Sequence, residues 1–208
     1  MARPRKFTTQ SILEAARQCF LEHGPSVSTE LIAAKLGTSQ ATLFKRFGTK
    51  QQLMLAALRP QATELIESIE IGPGPGDIEE QLIERGCAMI TFFRKAIPCW
   101  AVLSNSSFKA AEAFAGNPDA PPMRARRAWS EWFEVAQTQG RMRAFPTEPM
   151  AIAFIGMLQA RPVREFLVGD THLTCSDEAY VRDIVGVVFR GMRPEKETSE
   201  KETSEGLQ

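Results

Sequence analysis

The sequence predicts an all-α protein with a small N-terminal three-helix domain of the helix-turn-helix type and a larger helical domain after it. Apolar residues recur every three to four positions along most of the 208 residues, which is the period of an amphipathic helix. Glycine and proline separate these stretches, most clearly in the Gly-Pro-Gly-Pro-Gly run at 72–76. No stretch looks strand-rich, so helices account for the whole predicted fold.

Three helices are predicted within the first fifty residues, over about 9–23, 29–36 and 40–47. The second helix has Ser28 placed to cap its start, and Gly37 follows its last apolar residue. The turn Gly37-Thr38-Ser39 then leads into the third helix. Two short helices joined by a three-residue turn that begins with glycine are the helix-turn-helix pattern.

The rest of the chain is predicted to be helical as well. Thr49-x-x-Gln52 is a capping box that begins a fourth helix, and Pro60 is expected to kink or split this helix. A second capping box, Asp77-x-x-Glu80, begins the next helix. Further helices are predicted over about 77–96, 100–107, 123–139, 149–160 with a possible continuation past Pro162, and 177–192.

We expect three regions: a helix-turn-helix DNA-binding domain at 1–52, a helical ligand-binding and dimerisation domain at 53–194, and a disordered tail at 195–208. The tail repeats Glu-Lys-Glu-Thr-Ser in tandem and has no core-forming residue before Leu207. Charge is divided between the two ends of the chain. Residues 1–59 carry a net charge of +6 and the remainder carries −6, which predicts a polyanion-binding module on a body that does not bind polyanions.

The third predicted helix has the composition that reading of the DNA major groove requires. The groove is about 12 Å wide and accepts one helix, whose first turn meets the base edges. That turn carries Gln40 and Ala41; glutamine can pair bidentately with adenine, and an alanine methyl can contact a thymine methyl. Lysine, arginine and hydroxyl side chains can bind phosphates. In and around this helix these are Ser39, Thr42, Lys45, Arg46 and Lys50.

The stretch Thr8–Leu58 resembles the DNA-binding domain of TetR/AcrR-type repressors, without a gap and over about a quarter of the chain. The rest resembles that family only in being an all-helical body of suitable length. The matching residues are Ile12, Leu13, Ala15, Ala16, Phe20, Gly24, Ser28, Thr29, Ile32, Ala33, Leu36, Gly37, Ser39, Ala41, Thr42, Leu43, Phe44, Phe47, Lys50 and Leu53.

The resemblance implies a homodimer that binds a near-palindromic operator, mostly as a repressor, and that a small molecule releases from the DNA. It places Thr29, Thr42, Phe44 and Lys50 at DNA-backbone contacts, and Gln40, Ala41 and Lys45 where bases are read or flanked. Two positions depart from the family pattern. Phe44 stands where tyrosine is usual, so a phenol hydroxyl is missing, and Arg46 stands where histidine is frequent, which adds charge.

Two further sites are predicted in the larger domain. Aromatic residues there suit a cavity for an apolar or planar ligand, although helical spacing is equally typical of core. The candidates are Phe93, Trp100, Trp129 and Phe133. The last two helices are candidates for the dimer interface, because small residues permit close helix approach and the final helix has a wide apolar face. The candidates are Ala153, Gly156, Ala160, Val181, Ile184 and Val188.

Other classes of function find little support in the sequence. It has no nucleophile elbow, phosphate loop or dinucleotide fingerprint, and no Cys/His/Asp group with metal-ligand spacing, so we expect no enzyme activity, cofactor or metal. The basic start is not followed by an uninterrupted apolar segment, and the longest apolar run is nine residues, which predicts a cytoplasmic protein without a membrane partner. One alternative stays open: a constitutive or protein-partner-controlled DNA-binding protein with a tightly filled larger domain.

Overall fold

The computed structural model describes residues 7–107, 109, 116–169 and 175–192, and helices are the only regular secondary structure in these ranges. The all-α prediction is therefore confirmed, and the predicted tail at 195–208 lies outside the described residues. The helices are α1 (Thr9–His23), α2 (Thr29–Leu36), α3 (Gln40–Phe47), α4 (Lys50–Leu58), α5 (Thr63–Glu70), α6 (Ile78–Ser104), α7 (Pro121–Thr138), α8 (Thr147–Val168) and α9 (Asp177–Met192).

Helices α1 to α3 begin and end where the sequence predicted, because local signals fix their ends. The hydroxyls of Thr8, Ser28 and Ser39 each accept a hydrogen bond from a backbone N–H in the first turn of the helix that follows. Gly37 ends α2 in the left-handed conformation, with φ of 68° and ψ of 34°, which only glycine adopts at little cost. This turn sets the position of α3 relative to α2.

Proline acts differently in two places. The predicted split near Pro60 is confirmed, since α4 ends at Leu58 and α5 begins at Thr63. The two segments predicted at 77–96 and 100–107 are instead one helix, because α6 runs through Pro98. Ala96 and Ile97 before the proline and Cys99 and Leu103 after it are all buried, so packing on both sides outweighs the lost backbone hydrogen bond.

The buried side chains form two clusters. One cluster, which we call the second cluster, joins α5 to α9 and contains most of the largest buried side chains, among them Trp129, Trp132, Phe133 and Phe154. The first cluster joins α1 to α4 with the end of α6: Ile12, Ala16, Cys19, Phe20, Val27, Ile32, Ala33, Leu43, Leu53, Met54, Ala57, Leu58, Cys99 and Leu103. Helix α6 thus belongs to both clusters.

The ends of α6 make it the physical link between the helix-turn-helix and the larger body. Arg17 of α1 donates from Nη2 to the backbone oxygen of Lys95 at 3.2 Å, beside the buried Cys99. The predicted domain boundary at residues 52 and 53 falls within α4, whose buried residues all belong to the first cluster. That boundary stays a prediction.

Helix α6 is long and apolar enough, by length and composition, to cross a membrane. Its buried residues belong to the two clusters, and core helices of water-soluble proteins pass the same test. We therefore interpret α6 as the central core helix of the molecule.

An ion-pair network fixes α9 to α6 and α8. Arg94 donates to both carboxylate oxygens of Glu165, at 2.7 and 2.8 Å, and to both of Asp177, at 2.7 and 2.8 Å. The buried Arg161 donates from Nε to Asp177 at 2.9 Å and from Nη2 to the backbone oxygen of Cys175 at 2.6 Å. The hydrogen bonds from Arg94 are the main reason that the pKa of Asp177 lies below its ordinary value.

Close packing of α6 against α8 and α9 depends on a glycine. A Cβ atom placed on Gly86 would lie 2.6 Å from Cγ1 of Val181 and 3.3 Å from Cδ2 of Leu158. We expect Gly86→Ala to lower the free energy of unfolding by about 1–3 kcal/mol, because the overlap outweighs the gain in helix propensity. Denaturant unfolding measures this change. Gly86→Ala should cost less in a Val181→Ala background, and equal costs in both backgrounds would contradict the packing.

Candidate nucleic-acid interface

Helix α3 presents part of its surface to solvent and anchors the rest. Leu43 is fully buried in the first cluster, and the half-buried Phe47 packs against it. Ala41, Phe44 and Lys45 lie on the exposed side, where the Phe44 side chain is 39% exposed. Phe44 is therefore a surface residue in the free protein, and the exposed side of α3 is open to a macromolecule.

Gln40 is held in place by the neighbouring helix. Its Nε2 donates a hydrogen bond of 2.7 Å to Oγ1 of Thr29, which is buried at the start of α2. One N–H and the carbonyl oxygen of the amide are left, and these are the two groups that pair with an adenine edge. The geometry thus gives Thr29 the role of orienting Gln40. The direct backbone contact predicted for Thr29 stays a prediction.

The two hydroxyls at the start of α3 are engaged with each other. Ser39 Oγ accepts from the backbone N–H of Thr42 at 3.3 Å and lies 3.0 Å from Thr42 Oγ1. These contacts hold the first turn of α3, the part predicted to approach the base edges. The phosphate contacts predicted for both residues remain predictions.

The basic side chains beside α3 are without counter-charges. In the part of the chain that the structure describes, Lys45, Arg46 and Lys50 form no ion pair, whereas Lys35 pairs with Glu22 at 3.8 Å. Lys50 begins α4, where Thr49 and Gln52 form the predicted capping box. Backbone N–H groups at such a helix start favour a phosphate. The exposed part of α3 therefore carries or adjoins three cationic side chains and the start of α4.

The four aromatic candidates for ligand binding are packed in the second cluster. Trp129 and Phe133 are fully buried and Phe93 is nearly so, while Trp100 is half-buried. Trp129 contacts Phe154 edge to face with ring centroids 4.9 Å apart, and Phe93 contacts Trp100 at 6.1 Å. These rings pack against one another and fill the space between the helices.

Two clefts on the larger body lie elsewhere and are open to solvent. One, of about 530 Å³, lies between α7 and the start of α8 and includes Arg126, Arg127 and Glu134. The other, of about 430 Å³, lies between α6 and α9 and includes Glu80, Glu84, Cys87 and Asp177. Neither includes an aromatic candidate. No group of three or more His, Cys, Asp or Glu side chains among the described residues is placed to hold a metal ion.

The candidate dimer residues fall into two groups. Ala153, Gly156 and Ala160 are exposed on α8, and nothing lies within 4 Å of a Cβ atom placed on Gly156. Val181 was wrongly placed at the interface, because it is fully buried against Gly86 of its own chain.

Two candidates for the dimer interface remain on α9. Val188 is buried and Ile184 is half-buried. Among the side chains of α9 that the structure describes, Val187 is a large apolar residue that is exposed, at 66%. Sequence periodicity identified the apolar face of α9 but could not tell which part of it faces α6.

The fold and an N-terminal segment both match known proteins. Residues 12–57 match the family model for bacterial regulatory proteins of the tetR family. A TetR-family transcriptional regulator from Mesorhizobium loti superposes with a TM-score of 0.66 at 18% sequence identity, over 88% of this chain and 96% of that one. Residues 12–57 are thus of the tetR regulatory type, and the fold of the chain is that of a TetR-family regulator.

Two further proteins are similar to this chain in part or in fold. The transcriptional repressor AcnR of Corynebacterium efficiens is 39% identical over 61 residues, which are 29% of this chain and only 32% of that protein. The aligned segment thus spans about a third of the length of that relative. AibR, solved with isovaleryl coenzyme A and operator DNA, has a TM-score of 0.59 at 20% identity over 86% of this chain and 97% of that one. At such identities the structures establish the fold alone.

The TetR match confirms the family resemblance drawn from the sequence. These relatives are named as transcriptional repressors or regulators and not as enzymes, in agreement with the predicted lack of catalysis. Two structural features were not foreseen: the Thr29–Gln40 hydrogen bond and the ion pairs around Arg161.

Proposed function

We propose that the chain is a cytoplasmic, homodimeric DNA-binding repressor that a small molecule releases from its operator. The observation that carries the proposal is the exposed side of α3, bordered by Lys45, Arg46 and Lys50 without described ion partners. Cations without counter-charges are suited to phosphates, and an exposed helix of two turns fits the major groove. The family model matches residues 12–57, and AcnR, which is similar over 61 residues, is named a repressor; both support the same function.

In the proposed complex the first turn of α3 meets base edges. Gln40 reads a purine, most simply adenine, with the amide oxygen and the N–H that Thr29 does not use. Ala41 and Phe44 supply apolar contacts, and Lys45 flanks the bases. Ser39, Thr42, Arg46 and Lys50 bind the DNA backbone.

Lys50 is proposed to neutralise one phosphate in each half-site. Lys50→Ala should weaken binding to all duplex sequences alike and reduce the magnitude of the salt slope of log K by about 1 per half-site. Fluorescence anisotropy titrations across a salt series measure the slope. Lys35→Ala is the matched control, because Lys35 lies near Glu22 and should leave the slope almost unchanged. A slope that is the same for wild type and Lys50→Ala would remove this role.

The dimer is proposed to form through the exposed side of α8 together with α9. Ala153, Gly156 and Ala160 allow close helix approach, and the neighbouring Ile152 is 53% exposed. On α9 the exposed Val187 replaces Val181 in this proposal.

Gly156→Leu should shift the protein from dimer to monomer, because a leucine would hold the two copies of α8 apart. The fold of each copy should be preserved, since no atom of the described residues outside the local helix backbone lies within 4 Å of the new Cβ. Sedimentation equilibrium gives the dissociation constant, and circular dichroism checks the helix content. An unchanged dissociation constant would place the interface elsewhere.

Support for small-molecule control comes from a protein of the same fold. AibR, which shares the fold, was solved with both a coenzyme A thioester and operator DNA. The alternative, a DNA-binding protein controlled without a small molecule, is favoured by the close packing of Trp129 and Phe133 in the free protein.

Selection of bound sequences from random duplexes by the purified full chain tests the proposed function. We expect a two-fold symmetric consensus with half-sites about one helical turn or more apart, since a symmetric dimer presents two copies of α3. Absence of enrichment, or an asymmetric single site, would contradict the dimeric repressor.

A further inference from the structure

Two buried side-chain N–H groups in the larger body, one on Trp132 of the second cluster and one on the half-buried Arg85 of α6, have no acceptor among the described residues. Nε1 of Trp132 and Nε of Arg85 are buried, and nothing among the described residues accepts from them. The nearby Trp129 differs, because its Nε1 lies 3.1 Å from the sulfur of Met89. An unsatisfied buried donor costs about 1–3 kcal/mol, and native proteins keep few of them. Two such donors in the larger body therefore call for an explanation.

The two donors lie at the same height along the axes of α6 and α7. Arg141, just after α7, donates to the backbone oxygens of Gly74 and Gly76, just before α6, so α6 and α7 run antiparallel. The contact of Trp129 with Met89 sets their register. From that contact, Arg85 is one turn toward the start of α6 and Trp132 is one turn toward the end of α7. In antiparallel helices these two positions lie at the same height along the helix axes.

Arg85 is a cation without a counter-charge. Its Nη1 donates to the backbone oxygen of Gln81 at 3.3 Å, which leaves the edge formed by Nε and Nη2. No carboxylate in the described ranges forms an ion pair with it, in contrast to Arg94, Arg124 and Arg161. The Nε–Nη2 edge of a guanidinium is a fork that matches the two oxygens of a carboxylate.

We propose that Arg85 and Trp132 bind the carboxylate of a small acid whose apolar or aromatic body enters the surrounding aromatic cluster. This inference rests on the proposed control by a small molecule and names the chemistry of that molecule. Both orphan groups are donors and one carries positive charge, so the occupant must supply acceptors and negative charge. A water molecule could accept from Trp132 but would leave Arg85 without a counter-charge.

The surroundings suit the rest of such a ligand. Trp129 and Phe133 are buried and apolar, and Met89 has a flexible side chain that adapts to a changed cavity. These residues fill the space in the free protein, so binding requires their rearrangement. Because α6 also carries Cys99 and Leu103 into the first cluster, a shift of α6 at Arg85 reaches the helix-turn-helix.

The test measures binding of phenylacetate, benzoate and octanoate to the full-length protein, each beside its own primary amide. Calorimetric titration gives affinities, with the shift in melting temperature as a second readout. We expect at least one acid to bind at millimolar concentration or below, and its amide to bind about tenfold or more weakly, the value of one charge-assisted hydrogen bond. Failure of all three acids to bind, or equal binding of acid and amide, would overturn the proposal.

Two variants test whether Arg85 and Trp132 cause the preference for acids over amides. Arg85→Met and Trp132→Phe should each reduce the ratio of acid to amide affinity, while amide binding reports that the cluster is still intact. Arg124→Met is the matched control, because Arg124 is already paired with Glu70 at 2.6 Å and should leave the ratio unchanged. A ratio that survives Arg85→Met would exclude the proposed site.

Binding of the selected duplex, measured on the same preparations, separates this inference from the proposed function. DNA binding without any binding of the acids would overturn the carboxylate site alone. Binding of an acid with the expected preference, but without DNA binding, would overturn the repressor function alone.

Discussion

Arg161→Met should lower the free energy of unfolding by about 3 kcal/mol, because it breaks a buried ion-pair network. The Arg161 side chain is 6% exposed, and it contacts Asp177 at 2.9 Å and the backbone oxygen of Cys175 at 2.6 Å. Methionine fills similar space without the charge. Two carboxylates, from Glu165 and Asp177, would then share Arg94 as their cation. Urea unfolding at neutral pH measures the change.

Arg182→Met is the matched control for this effect. Arg182 also contacts two carboxylates, Glu80 at 2.8 Å and Glu178 at 3.0 Å, but all three side chains are at least half exposed. Exposed ion pairs contribute little to stability. We expect the control to unfold almost as the wild type does. Equally small losses for Arg161→Met and Arg182→Met would show that the Arg161 network does not fix α9 in place.

Thr29→Val should weaken operator binding by about tenfold, because it disturbs the contact between Gln40 and the base that Gln40 reads. Valine keeps the shape of threonine but cannot accept the 2.7 Å hydrogen bond from Gln40, whose amide then loses its fixed orientation. The loss should be concentrated at one base pair of each half-site. Anisotropy titrations against the selected duplex and its single-base variants measure this pattern.

Two further variants test whether Thr29 acts through Gln40. Thr29→Ser keeps the hydroxyl and should retain most of the affinity. In a Gln40→Ala background, Thr29→Val should have almost no further effect, because residues in one hydrogen-bonded unit are not additive. Full additivity, with equal loss on every sequence, would instead indicate that Thr29 contacts a phosphate directly.

The ends of the short N-terminal helices were predictable because their causes are local. Ser28, Ser39 and Gly37 act within one turn of the residues they cap, so a few consecutive residues determine where each helix begins or ends. Helix α6 was not predictable as a single element. Pro98 is a helix breaker by local rules, whereas burial of the residues around it depends on packing against other helices.

The candidate site was predictable as a set of residues but not as a geometry. The family pattern identified Gln40 and Thr29, yet their hydrogen bond depends on how α2 and α3 cross. Helical spacing could not tell whether Trp129 and Phe133 line a cavity, because a ring against a ligand and a ring against another ring have the same period. The unpaired donors of Arg85 and Trp132 become visible only when their surroundings are known.

The central claim is that the first turn of α3 reads base edges in the major groove. The most direct measurement is the affinity of the full chain for the selected duplex when each purine in turn is replaced by its 7-deaza analogue, which lacks the N7 acceptor of that groove. The account predicts a loss of about 1–3 kcal/mol at one purine per half-site, and no loss there for Gln40→Ala. A duplex insensitive to every 7-deaza replacement would contradict the claim.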